Sequence, residues 1–330
     1  MHELVKRRVM EATEPVAACV CPDCGSRAVQ DHGACRSPAS LESLPPEERH
    51  LVDSAAASRL YICQSCGLGF RHPTLSDSSL QRMYALMPTE RWQYPAENVA
   101  WTMARTWLLR RYARTDRIRV LDIGAFDGAF LKLLPAEWDR NAIEPSAAAR
   151  RTLQQSGIPC VSEFLTTPSK SQAGTFEVVT MFDVFEHLAS PSESLAQAIA
   201  YLKPGGHLLI STGNCDHWTW RLLGGDHWYC EPLQHIRFGS PKYVSMLAKR
   251  CGACLLQSRS HSHRQRRIVE LAKESFETVA FAALRDRPWW LPIIKLALKC
   301  PGITYVRHKT TAPYAPALSD HLFAVLQRPR

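Results

Sequence analysis

Two short knuckles, Cys21-Pro22-Asp23-Cys24-Gly25 and Cys63-Gln64-Ser65-Cys66-Gly67, share one spacing of two thiols followed by a glycine. Paired turns of this kind offer four thiolates as a tetrahedron suited to zinc, so Cys21, Cys24, Cys63 and Cys66 are read as metal ligands. Cys19 and Cys35 are spare candidates. A second chemistry is carried by acids that close apolar runs. In Val120-Leu121-Asp122-Ile123-Gly124-Ala125-Phe126-Asp127-Gly128 such a run meets an acid and a glycine turn that opens a helix, where backbone N–H groups can approach a nucleotide-like ligand. Asn141-Ala142-Ile143-Glu144 ends a second run in an acid able to accept both hydroxyls of a ribose. Phe176 to Phe182 delivers Asp183, with Glu186 and His187 behind it, and histidine is the natural proton acceptor near neutral pH. An aromatic loop from Gly224 to Phe238 adds His235 as a second base and Trp228 and Tyr229 as rings able to stack on an acceptor.

These groups need a scaffold that brings strand ends together. Apolar segments at 119–123, 140–144, 160–164, 176–182, 207–212, 253–259 and 321–327 alternate with helical ones at 128–134, 146–156, 191–201 and 241–250. That alternation predicts an α/β fold, a Rossmann-like, seven-stranded, mostly parallel sheet with helices on both faces. Helices over 77–87 and 96–113 lead into it. The boundaries expected are a cysteine-rich zinc ribbon-like module at 1–75, connecting helices at 76–112, the main domain at 113–260 with 319–330, and a basic helical insertion at 261–318 before the last strand. Cys251-Gly252-Ala253-Cys254 repeats the C-x2-C spacing but runs from a helix end into a strand, so it is read as packing.

The chain has 330 residues, 45% hydrophobic, enough for a substantial core. Its twelve cysteines are spread over a length that a secreted disulfide scaffold does not have. No run reaches the roughly 20 apolar residues of a spanning helix, and Met1 to Met10 carries charges where a signal peptide is apolar, so a cytoplasmic protein is expected. The net charge of +9 favours an anionic partner. Between 261 and 311 ten Lys/Arg face four Asp/Glu, which concentrates the charge in the insertion. Residues 264–299, with Trp289 and Trp290 beside Lys295 and Lys299, read first as a lid or dimerisation helix and second as a peripheral membrane contact.

The glycine turn lacks the G-x-G-x-x-G spacing of dinucleotide enzymes. The ordered set Asp122, Gly124, Glu144, Asp183-Val184-Phe185-Glu186-His187 and the Lys203 to Thr212 turn and strand resembles class I S-adenosylmethionine-dependent methyltransferases over residues 113–259 plus the last strand. The resemblance implies S-adenosylmethionine as cofactor. It places Asp122, Gly124, Ala125 and Gly128 at the methionine end, Glu144 on the ribose, Glu163 and Phe164 beside the adenine and Asp183 at the third strand end. Phe126 stands where the family has a glycine, and Asp127 is a candidate for the amino group. The Asp183, Glu186, His187 pattern also resembles ubiquinone-biosynthesis O-methyltransferases, which leaves magnesium open. The cysteine knuckles, Cys66-Gly67-Leu68-Gly69-Phe70 and the Glu231 to Phe238 loop resemble methyltransferases of polysaccharide and modified-sugar biosynthesis. Methyl transfer to an O or C atom of a sugar, sugar-lipid or related small metabolite is therefore expected, with His187, His235 and Glu186 doing the proton chemistry. Two alternatives stand beside it: an RNA methyltransferase with a zinc ribbon, disfavoured because no RNA-binding motif is evident, and a non-catalytic S-adenosylmethionine-binding or assembly protein.

Overall fold

A computed structural model of the chain describes residues 19–35, 57–76, 78–80, 98–113, 115, 117–265, 267–285 and 312–330. Most of the expected helix over 77–87 and the Trp289 to Lys299 segment lie outside them. The main sheet is built from β4 (Arg119–Ile123), β5 (Asp139–Ile143), β6 (Cys160–Ser162), β7 (Phe176–Phe182), β8 (Leu202–Gly213), β10 (Cys254–His261) and β11 (His321–Gln327). Their order across the sheet is β10-β11-β8-β7-β4-β5-β6. Only β11 is reversed, antiparallel to both β8 and β10. The sheet is thus the expected Rossmann-like one.

Alternation along the strands sends side chains to two cores. Leu121, Ile123, Val179, Met181, Leu208 and Ile210 face α4 (Pro191–Tyr201) and α6 (Pro241–Arg250). Val120, Val178, Phe182, Leu209 and Phe323 face the other way, against α1 (Val99–Arg111), α2 (Ala129–Lys132) and α3 (Ala147–Gln155). Helix starts follow the capping chemistry in the sequence: Asn98, Ser146 and Ser240 each accept a backbone N–H of the first turn, and Pro191 and Pro241 open α4 and α6.

The cysteine-rich segment forms a second, four-stranded antiparallel sheet of β1 (Val29–Ala34), β2 (Arg59–Cys63), β3 (Gly69–His72) and β9 (Arg237–Phe238). β9 comes from the aromatic loop, far along the chain, so module and loop share one sheet through Gly69 opposite Phe238 and Phe70 opposite Arg237. Cys21, Cys63, Cys66, Leu68 and Phe70 are continuous with the core beneath α4 and α6. Asp23 anchors the first knuckle, accepting from Arg250 Nη1 at 2.6 Å and from Ser192 Oγ at 2.5 Å.

Of the insertion, the described part is α7 (Ile268–Arg285) and the stretch from 312. α7 packs Phe281 and Ala282 on Leu223 and Ala312, with Leu223 closing α5 (Trp218–Leu223). Arg285 ties α7 to the same region through Asp226 at 2.8 Å. No helix among the described residues is long and apolar enough to cross a membrane.

Candidate active site

The carboxyl ends of β4, β5, β6 and β7 open into one cavity of about 390 Å³, placed where the strand order reverses between β4 and β7. Gly124, Phe126, Glu144, Glu163, Phe164, Asp183 and His187 line it, together with Leu80, Val184 and residues at the start of α4.

Gly124 adopts φ +72°, and a Cβ there would sit 2.4 Å from Val184 Cγ2, so only glycine lets the loop pass. Phe126 also has positive φ, +47°, unusual for a side chain of its size. Its N–H donates to Glu144 Oε2 at 2.7 Å. Glu144 Oε1 accepts from the N–H of Ser146 at 2.8 Å. Each carboxylate oxygen has a second lone pair to offer a ligand hydroxyl. Burial raises the Glu144 pKa against these two bonds.

The other loop residues support rather than line. Asp127 Oδ1 accepts from Ala129 N–H at 2.9 Å and begins α2. Gly128 packs toward Leu153 and Ile158, where a Cβ would come within 2.9 Å of both, and Ala125 is buried. Asp122 lies beneath the cavity, accepting from Thr180 Oγ1 at 2.6 Å; burial pushes its carboxyl up to about 7. Glu163 pairs with Arg150 at 2.8 Å, and Phe164 is exposed.

At the end of β7 the backbone of Asp183 turns to φ +54°. Burial and the neighbouring Glu186 push its carboxyl up to about 7. Glu186 is fully buried and accepts from Thr212 Oγ1 at 3.0 Å and from the Tyr229 hydroxyl. Tyr229, enclosed at 4% exposure, therefore supports the acid rather than offering a face to an acceptor. Trp228 is half-buried and donates Nε1–H to Asp320 Oδ2 at 3.0 Å. His187 Nδ1 donates to the Gln234 carbonyl at 3.1 Å, which makes Nε2 its basic nitrogen. Burial lowers the His187 pKa to about 4, so the ring is neutral. His235 stands 4.9 Å away, centroid to centroid, its Nδ1 bonded to the Tyr229 carbonyl at 2.8 Å.

Glu186, His187 and His235 present donor atoms within 4.8 Å of one another, and Asp183 instead joins His263 and His321. The Asp183, Glu186 and His187 set, for which magnesium was left open, is thus divided between two imidazole-rich groups. Magnesium takes oxygen ligands, so these residues do not fit it. His263, His321 and Asp320 were not singled out from the sequence. Their signal is positional: a reversed last strand starts at the edge where parallel strands end.

In the knuckles, Cys21 Sγ lies 3.7 Å from Cys66 Sγ and Cys24 Sγ 3.6 Å from Cys63 Sγ. Sulfurs about 2.3 Å from a tetrahedral zinc stand about 3.8 Å apart, so the four residues fit that ion. The hydrogen bond with Cys66 outweighs burial and lowers the Cys21 pKa to about 5, raising that of Cys66. Cys35 packs elsewhere, with Trp220 and Cys230, and Cys19 is not in the set of four.

A sequence profile of a family described as "Methyltransferase domain" matches residues 96–258. Those residues are similar to a methyltransferase domain. The ubiquinone biosynthesis O-methyltransferase of Cronobacter sakazakii is 32% identical over 120 residues, 33% of this chain and 49% of that protein. Its counterpart in Escherichia coli O9:H4 is 27% identical over 118 residues. The chain spans about half the length of these relatives. Solved structures similar to the chain include the N-methyltransferase NodS of Bradyrhizobium japonicum with S-adenosyl-L-homocysteine, at TM-score 0.44 and 16% identity over 77% of this chain and 98% of that one. A putative sarcosine dimethylglycine methyltransferase of Galdieria sulphuraria gives TM-score 0.43 and 18% identity, over 69% of this chain and 86% of that one. The cavity lies on residues 123–197 of this matched stretch, apart from Leu80.

Proposed function

We propose that the cavity binds S-adenosylmethionine and that the chain transfers its methyl group to a small oxygen-bearing acceptor, sugar-like in character. The observation that carries this reading is the buried Glu144 carboxylate at the end of β5, held by two backbone N–H groups and facing a cavity of the size that small ligands occupy, roughly 300–1,000 Å³. Glu144 would hold the ribose hydroxyls, Glu163 and Phe164 the adenine side, and the Gly124 to Phe126 turn the methionine end. When bound, the cofactor supplies an electrophilic methyl group on sulfur. The chain's own part is to align the acceptor and take its proton. His187, neutral and with Nε2 as its basic nitrogen, suits that role, and His235 beside it is the second candidate. A ring-shaped acceptor is supported by the rings of Trp228, Tyr314 and His263, which pack on one another beside Asp183, a residue that lines the cavity. Zinc in the four-cysteine site is proposed as structural, holding a segment whose sheet is completed by β9.

Calorimetric titration with S-adenosyl-L-homocysteine tests the donor site: micromolar binding is expected, and no heat at millimolar ligand overturns the reading. Radiolabelled methyl transfer to a panel of nucleotide sugars tests the acceptor. Transfer to a quinol or catechol in place of every sugar would keep the donor and remove the sugar.

A further inference from the structure

We propose that Asp183, His263 and His321 form a second metal site, which binds a divalent transition-metal ion next to the cavity that Asp183 lines. Three separate elements deliver these residues to one point. Asp183 ends β7 and lines the cavity. His263 follows the end of β10, and His321 begins β11. Because β11 runs antiparallel, with His321 opposite Gly213 of β8 and His261 of β10, its first residue stands at the edge where the parallel strands finish. The donor atoms of the three lie within 4.8 Å of one another.

An independent observation points to a ligand. His321 is fully buried, and its Nε2 has no hydrogen-bond partner. Its other nitrogen, Nδ1, bonds Asp320 Oδ1 at 2.8 Å. Asp320 is itself fully buried and is held by Trp228 Nε1 at 3.0 Å and His227 Nε2 at 3.3 Å. A carboxylate behind one ring nitrogen fixes the tautomer and aims the other nitrogen's lone pair, the arrangement that accompanies metal-bound histidine. A buried polar atom facing a carboxylate and a second imidazole, with nothing bonded to it, calls for an occupant. Two imidazoles and one carboxylate select zinc, iron(II) or a similar ion rather than magnesium or calcium. Three protein ligands leave a position for water or an acceptor oxygen.

Zinc and cobalt counted on the full chain test this. After loading and gel filtration the wild type should hold two equivalents per chain, and His263→Ala and His321→Ala one each. Cys24→Ser should also hold one, retaining the other site. With cobalt, the four-cysteine site gives an intense thiolate charge-transfer band, whereas a nitrogen and oxygen site gives only weak visible bands. The thiolate band should therefore saturate at one equivalent while the visible bands grow to two, and His263→Ala should abolish the second phase. His263 is half-buried, so its variant keeps the test open if His321→Ala does not fold. Binding of S-adenosyl-L-homocysteine by His263→Ala monitors the donor site separately, so loss of the metal and loss of cofactor binding are told apart. One equivalent in fully loaded wild type, or two that survive both histidine substitutions, overturns the proposal.

Discussion

Tyr229 in the aromatic loop donates its hydroxyl to Glu186 behind the end of β7, joining two segments 43 residues apart in the chain. Both groups are buried. Tyr229→Phe leaves one oxygen of a buried carboxyl unpaired, which costs about 1–3 kcal/mol. Urea unfolding of the variant should show that loss, and an unchanged midpoint would mean the bond contributes nothing.

Glu144→Ala removes the acceptors for the Phe126 and Ser146 N–H groups along with the proposed ribose contacts. Affinity for S-adenosyl-L-homocysteine should fall by about 10- to 100-fold, the equivalent of roughly 1.4–2.8 kcal/mol. Calorimetry reads it directly; retained affinity would move the ribose elsewhere.

Asp122 contributes a pH dependence whose sign follows from burial, which pushes its carboxyl up to about 7 from the ordinary 3.8. An acid that holds its proton more tightly when folded stabilises the fold at low pH, and that stability is lost as pH rises through the folded value. Asp122→Asn has no such proton. The stability of the Asn variant relative to wild type should therefore rise between about pH 5 and about pH 8, by roughly 2 kcal/mol. Urea midpoints at the two pH values check this, and a constant difference contradicts it.

Cys24→Ser should lose the zinc of the four-cysteine site alone and lower the melting temperature by about 5 °C, as a loss of ~2 kcal/mol does in a domain of this size. The reason is that Cys21, Cys63 and Cys66 share a core with Leu121 and Met181. Metal release with an unchanged melting curve would make the site non-structural.

Gly224 has φ +58°, and a Cβ there would lie 1.9 Å from the carbonyl oxygen of His32 in β1. Gly224→Ala should push the loop off the cysteine-rich sheet and cost more than about 2 kcal/mol. Limited proteolysis should then cut within residues 19–35 faster than in wild type. Equal rates would show that the contact yields easily.

Much of the scaffold was legible before any coordinates. β4, β7, α4, α6 and β11 fall on the expected residues, because apolar runs, N-caps and Pro at helix starts are local signals. The acids at the ends of β4, β5 and β7 were legible for the same reason, as was the sulfur spacing. The division of roles within the glycine turn was not: whether Asp127 and Gly128 face a ligand or a helix depends on α3, which packs from outside the motif. Nor was the role of Tyr229, since its ring pattern is the same whether it faces an acceptor or Glu186. His321 was passed over because periodicity reveals a strand but not its direction. β9 was missed because two residues carry no period at all; only β3 beside it makes Arg237 and Phe238 a strand.

That two-residue strand has a mechanical consequence. A loop with both flanks free could shift by itself. Here the segment after Glu231 is stitched to β3, and β3 to the cysteine knuckles, which Asp23 pins to Arg250. The loop, β3 and the thiol-bearing turns therefore brace one another, and through the Gln234 carbonyl bonded to His187 a disturbance at the distant knuckles has a covalent and hydrogen-bonded route to the edge of the cavity.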